Sequence, residues 1–182
     1  HAAHGYAWLA TYVESIRQLA GYTARMIEAN RFGELEELLV RVGAGEYLAQ
    51  IFGGIPMSQG EMLRLADLGL PEQKISARIT PAIRKLIAGN NAQTRARLAG
   101  AIAKAQGSLT IGDAGLDDTL DAMRAEMHRF AESEVVPHAH EWHLKNEYIP
   151  LGIIAKMAEL GVFGLTIPEE FGGLGLGKES MC

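Results

Sequence analysis

This sequence predicts an all-α fold in two parts, on three observations. Apolar residues recur at helical spacing almost from end to end. No alternating pattern of strand length interrupts them. The charge changes sign across a glycine-rich stretch near residue 110: residues 72–106 carry a net +6, the residues from 113 onward a net −8, and the first 71 residues a net −3.

The spacing predicts a first helix over 7–30, with Leu9, Val13, Ile16, Ala20, Thr23 and Ile27 on one stripe and Trp8, Tyr12, Leu19 and Met26 broadening it. A second covers 34–42 with Leu35, Leu38, Leu39 and Val42 inward. Gly43 and Gly45 weaken it before Tyr47, Leu48, Ile51 and Phe52 resume the period as far as Gly53 and Gly54. A short helix is expected over 61–68, stopped by Gly69 and Pro71. The next carries Ile75 and Ile79, with a break at Thr80-Pro81, after which Ile83, Leu86 and Ile87 continue to Gly89. Asn90-Asn91 caps a helix over 92–106, with Leu98, Ala101, Ile102 and Ala105 on one face.

Residues 107–115, with one charge and no helical stripe, read as a linker, so the domains are expected at 1–112 and 113–182. A long helix then opens on Asp117-Asp118, acids suited to a helix N-terminus, and Leu116, Leu120, Met123, Met127 and Phe130 form its stripe. Pro137 kinks it near Val136. The last helix starts at Pro150, turns Ile153, Ile154, Met157 and Leu160 inward, and stops at Gly161.

Composition narrows the function. The chain of 182 residues is 48% hydrophobic and 21% charged, too apolar for disorder and too mixed for a membrane protein. Its net charge of −5 weighs against a general nucleic-acid partner. No run approaches the roughly 20 apolar residues of a spanning helix, so no membrane partner is expected. The single cysteine, Cys182, excludes a disulfide framework and agrees with a cytoplasmic setting. The chain opens on His1 and closes on Met181-Cys182 without a cap or tail, so a piece of a longer polypeptide is expected.

Three patterns invite chemistry. His138, His140 and His143 surround Glu141, and imidazoles suit transition metals. On a helix His138 lies off the face shared by His140 and His143, so the cluster reads as a polar helix end and no metal is assigned. Gly172-Gly173-Leu174-Gly175-Leu176-Gly177 has neither the dinucleotide nor the phosphate-loop spacing and follows no strand; a surface loop is expected. Lys74, Arg78, Arg84, Lys85, Arg95, Arg97 and Lys104 form a basic segment without interleaved aromatics, which argues against base stacking. It reads as a solvated face, with Arg78 and Lys85, and Arg97 and Lys104, seven apart. Glu36-Glu37 and Glu169-Glu170 are adjacent, not spaced as a catalytic pair. No catalytic, cofactor-binding or metal residue is assigned.

Four signals from Leu116 to Ser180 resemble the opening of the acyl-CoA dehydrogenase family. They are Glu132-Ser133-Glu134-Val135-Val136-Pro137-His138-Ala139 at the end of a first helix, and Pro150 opening a second. Next come Met157-Ala158-Glu159-Leu160-Gly161-Val162-Phe163-Gly164-Leu165 leaving it, and the loop Ile167-Pro168-Glu169-Glu170-Phe171-Gly172-Gly173-Leu174-Gly175. His143 departs from the aspartate often found there. The fold class is thereby sharpened to a helical N-terminal extension followed by the first helices of that family's N-terminal helical domain. His4-Gly5-Tyr6-Ala7-Trp8-Leu9-Ala10-Thr11-Tyr12-Val13 and the extension's length are similar to one branch of the family. Gln50-Ile51-Phe52-Gly53-Gly54 is similar to a turn in the family's C-terminal bundle, as if the extension were a degenerate relative of it.

The resemblance implies an acyl-CoA substrate, FAD as hydride acceptor from Cβ, a carboxylate base that takes the Cα proton, and hydrogen bonds that polarise the thioester carbonyl. It also implies an electron-transferring flavoprotein as partner and a homo-oligomer, with base and flavin contacts outside these residues. The residues alone leave a second reading open: a non-enzymatic helical interaction module with the basic segment as its docking face. A helix-turn-helix regulator is disfavoured by the acidity and by the lack of a recognition pattern.

Overall fold

In the computed structural model, which describes residues 2–105 and 110–181, the helical periods become eight α-helices: α1 (Ala2–Glu28), α2 (Glu34–Gly53), α3 (Glu72–Arg78), α4 (Pro81–Gly89), α5 (Ala92–Lys104), α6 (Asp118–Phe130), α7 (Val136–Lys145) and α8 (Leu151–Glu159). The fold is all-α apart from a two-residue antiparallel pair, β1 (Ile55–Pro56) and β2 (Met62–Leu63). The chain divides into two compact units, His1–Gly115 and Leu116–Cys182.

In the first unit α1 begins earlier than its apolar period suggested and ends where Asn30 turns left-handed at φ 54°. Its inward face is also rotated. Tyr12 and Met26 are buried, and Trp8, Leu9, Ile16, Leu19 and Thr23 are half-buried, while Val13 and Ile27 of the expected stripe stand in solvent. The set 9, 12, 16, 19, 23, 26 steps by three and four, so one helix face is buried; the expected stripe lay one residue further round.

Helix α2 is continuous through Gly43 and Gly45, against the expected interruption. Packing overrides the glycine's weak helix propensity there. A Cβ on Gly45 would lie 2.7 Å from the Asn90 Cβ and 2.8 Å from the Leu86 carbonyl oxygen, so only glycine lets α4 approach this closely. Helix α2 packs against α1, α4 and α5 and is the central element of the unit. It ends at Gly54, whose φ of 134° suits glycine alone.

The helix expected over 61–68 is absent. Gly60 (φ 78°) reverses the chain, Met57 N donates to the Glu61 carbonyl at 2.8 Å, and Ile55 pairs with Leu63. The extended backbone points Ile55 and Leu63 into the core, each 1% exposed, beside Tyr12, Ile51 and Met57. A 3₁₀ turn over Leu65–Leu68 follows, opened by Arg64 N donating to Asp67 Oδ2 at 2.7 Å. The break between α3 and α4 falls as expected, with the Thr80 hydroxyl accepting from Ile83 N at 3.3 Å ahead of Pro81. Helix α5 ends at Lys104; the expected extension to Gln106 lies outside the described residues, as do 107–109 of the linker.

In the second unit Asp117 caps α6 by accepting from Leu120 N at 2.8 Å, and the stripe from Leu120 to Phe130 is half-buried. A π-helical turn, Ala131–Val135, joins α6 to α7. Pro137 supplies no N–H, and the wider turn just before it absorbs the mismatch as the expected distortion. Along α8, Ile153 and Met157 turn inward, whereas Ile154 and Leu160 are exposed, a narrower face than expected. No described residue of this unit is fully buried, and Leu144, Tyr148, Leu151 and Phe171 are strongly exposed.

Close approach at Gly45 has a measurable consequence. Gly45→Ala is expected to destabilise the first unit by about 1–3 kcal/mol, the usual range for overpacking. Gly53→Ala, whose Cβ meets nothing within 4 Å, is expected to leave stability unchanged or slightly higher. Urea unfolding midpoints of the two variants check the pair.

Candidate functional site

The histidines do not converge. His138 stacks on Trp142 with ring centroids 5.7 Å apart, while His140 and His143 are exposed. Glu141 is taken by Lys145 at 2.5 Å, one turn further along α7. Among the described residues no group of three or more His, Cys, Asp or Glu side chains is placed to hold a metal ion.

The glycine run is a knot of backbone hydrogen bonds. Gly173 N donates to the Pro168 carbonyl, Leu174 N to Gly164, Gly175 N to Ile167 and Leu176 N to Leu165, at 2.8–3.2 Å. A Cβ on Gly173 would run into the carbonyl oxygen and Cβ of Ile167. A phosphate cradle needs amides that point outward and unspent. Here the amides from Gly172 to Leu176 are spent inward, and Gly173 serves close chain packing.

The basic segment splits into two populations. Arg95 and Arg97 reach back to α2, pairing with Glu46 at 2.7 Å and with Glu34 at 2.6 Å. Lys104 adds its charge near Glu34, and the Arg97 guanidinium holds the Glu34 carboxyl below the usual glutamate range. Arg78 and Lys85 do not share one helix face, because the break at Thr80 puts them on different helices. Lys74 and Arg78 on α3 border an apolar groove formed with Phe52, Leu65, Leu70 and Ile75.

Two polar nodes were not singled out by the sequence. The first centres on Glu46. Its Oε1 accepts from Gln50 Nε2 at 2.7 Å, and its Oε2 accepts from Asn90 Nδ2 at 2.9 Å and from Arg95 Nη2 at 2.7 Å. Gln50 Oε1 in turn accepts from the Tyr12 hydroxyl at 2.5 Å. One carboxylate thus links α1, α2, the end of α4 and α5. The hydrogen bonds from Gln50 and Asn90, with Arg95 nearby, hold its pKa below the ordinary 4.5. Burial, Tyr47 and Glu46 push the Tyr12 hydroxyl above its ordinary value. The i, i+4 spacing of Glu46 and Gln50 is the only local signal for this node.

The second node is Asp113. Its carboxylate accepts a forked pair from Arg31, Nε at 2.7 Å and Nη2 at 2.6 Å, and also Gly115 N at 2.8 Å. Its carbonyl accepts from the Tyr22 hydroxyl at 2.5 Å, and its N–H donates to Glu36 Oε1 at 2.8 Å. Buried Glu36 meanwhile accepts from Gly33 N at 3.0 Å and so caps α2. Residues 110–115, expected to be a free linker, are therefore fastened to α1 and α2 and belong to the first unit. Burial is the main reason the Tyr22 hydroxyl titrates above its ordinary value.

In both nodes the polar groups are engaged with one another across helices, which marks the nodes as structural. No helix among the described residues is long and apolar enough to cross a membrane.

Comparison with known proteins gives these observations a context. Residues 117–182 match the family described as acyl-CoA dehydrogenase, N-terminal domain. The chain is 50% identical over 181 residues, 99% of its length, to (2S)-methylsuccinyl-CoA dehydrogenase of Cereibacter sphaeroides, and spans 32% of that protein. It is 36% identical over 64 residues to glutaryl-CoA dehydrogenase of Desulfococcus multivorans, which is 35% of this chain and 16% of the relative. It is 34% identical over 67 residues to mitochondrial isovaleryl-CoA dehydrogenase of Oryza sativa subsp. japonica, 36% of this chain and 16% of the relative.

The Glu46 node predicts a pH signature. Its folded pKa is depressed, so its stabilisation is complete above the ordinary glutamate value of 4.5 and is lost as pH falls through the lower folded value. Glu46→Gln replaces one acceptor oxygen by an NH₂ facing donors. It is expected to cost about 1 kcal/mol at neutral pH, a gap that narrows in acid. Urea titrations of both proteins across pH test it; a gap that does not change with pH contradicts it.

Proposed function

We propose, from the match of residues 117–182 to the acyl-CoA dehydrogenase N-terminal domain, that this chain is the N-terminal part of a flavin-dependent acyl-CoA dehydrogenase. The proposed reaction removes hydrogen from Cα and Cβ of (2S)-methylsuccinyl-CoA to give mesaconyl-CoA, within the ethylmalonyl-CoA pathway in the cytoplasm. The observation that carries the narrower substrate is coverage. Identity with (2S)-methylsuccinyl-CoA dehydrogenase runs through the helical extension, whereas the matches to glutaryl-CoA and isovaleryl-CoA dehydrogenases cover about a third of the chain.

The glycine loop does not fit a flavin cradle, because its amides from Gly172 to Leu176 are spent on backbone carbonyls. In this reading FAD, the catalytic base and the thioester contacts belong to the part of the relative's length that this chain does not span. What these residues contribute is a platform. The exposed Leu144, Tyr148, Leu151 and Phe171 offer apolar surface against which further helices of the domain pack. The functional division is drawn at 1–112 and 113–182, with Asp113 bonded back to Tyr22, Arg31 and Glu36 of the first unit, and the extension covers the substrate entrance or a subunit interface of a homo-oligomer. Electrons leave to an electron-transferring flavoprotein. The two-part charge pattern suits this division of labour better than a free-standing interaction module, since Arg95 and Arg97, two of the basic segment's cations, are engaged within the first unit.

The test is spectroscopic. The purified full-length polypeptide is expected to be yellow, and its flavin absorbance to bleach anaerobically with (2S)-methylsuccinyl-CoA and far less with isovaleryl-CoA. A colourless protein, or one that no acyl-CoA bleaches, contradicts the reading. Removal of residues 1–112 is expected to lower turnover or change the oligomeric state; if both stay the same, the extension's role is discarded.

A further inference from the structure

The groove beside α3 combines an apolar floor with a cationic border. Its floor is carbon: Phe52 from the end of α2, Leu65 from the 3₁₀ turn, and Leu70 and Ile75. Leu70 is 41% exposed, a large apolar side chain left open to water. At about 290 Å³ the cavity sits at the small end of ligand sites, which run roughly 300–1,000 Å³. Lys74 and Arg78 stand on its border, one helical turn apart on one face of α3.

Arg31, Arg41, Arg95 and Arg97 of the same unit each hold a carboxylate of the chain. Lys74 and Arg78, like Arg84 and Lys85, hold none among the described residues. Two unanswered positive charges beside an unfilled apolar floor specify a ligand with one anionic end and one apolar body. An inorganic anion would leave the floor wet, and an apolar molecule would leave the cations unanswered. A cavity of this size with charge on one border also suits a single chain better than an extended peptide.

We propose that this groove is a binding site for a small amphipathic carboxylate, its chain on Phe52, Leu65, Leu70 and Ile75 and its carboxylate between Lys74 and Arg78. Arg78 offers the planar fork that matches a carboxylate, and Lys74 a second point charge. The site lies wholly in the first unit and does not depend on the proposed dehydrogenase reaction.

The experiment uses the full-length protein and a photoreactive decanoate carrying a diazirine on its chain, with cross-links mapped by mass spectrometry. Labelling is expected within residues 52–78 and is expected to be displaced by unlabelled decanoate. Lys74→Gln with Arg78→Gln, both exposed positions, should cut that labelling by about tenfold, the loss of roughly one charge-assisted contact. Lys74→Arg should keep it. Labelling confined to other segments, labelling unchanged in the double glutamine variant, or equal displacement by decanol would overturn the proposal.

Discussion

The carboxylate of Glu46 is the point on which the first unit depends. It sits on the one helix that touches three others, and its two oxygens hold a glutamine, an asparagine and an arginine at once. Through Gln50 the same network reaches the Tyr12 hydroxyl on α1. A half-buried charge with this many donors stays ionised and fixes its partners' geometry. The apolar core of Tyr12, Ile51, Ile55, Met57 and Leu63 lies just beyond it. Hydrophobic burial supplies most of the stabilisation; the polar node selects one register of α4 and α5 on α2. Gly45 makes that register sterically available, and the node holds it.

Asp113 does comparable work at the other end of α2. A buried Glu36 that caps the helix and also binds the Asp113 N–H ties the start of α2 to the chain leaving the unit. The forked Arg31 contact and the Tyr22 hydroxyl complete the fastening. The extension therefore ends at a fixed point and does not trail off into a tether. Identity with a relative about three times as long runs through the same extension. The second unit shows the complementary feature: regular helices and a tightly bonded glycine loop, with large apolar side chains left in water.

Much of the fold was legible because it rests on local rules. Thr80-Pro81, Asp117 and Gly161 mark boundaries through capping chemistry that the sequence states directly. Where tertiary contacts decided, the pattern misled. Gly43 and Gly45 looked like an interruption because propensity cannot show that α4 needs the space. The stretch over 61–68 had helical composition, yet burying Ile55 and Leu63 together required extended backbone. On α1 two overlapping stripes were both apolar, and only packing against α2 and the β pair chose between them. At the glycine loop and the histidines, spacing alone weighed against a phosphate loop and a metal site. Glu46 and Asp113 stayed hidden because their partners on other elements lie 44 to 91 residues away in sequence.

Hydrogen–deuterium exchange on the full-length protein tests the organising role of α2 most directly. Amides of α2 around Glu46 to Ile51 are expected to be the slowest of the first unit, exchanging only when the whole unit opens, with α3 exchanging well ahead of them. If α2 exchanges as fast as α3, the unit is not built around the Glu46 node, and the structural basis for treating the extension as one integral body fails.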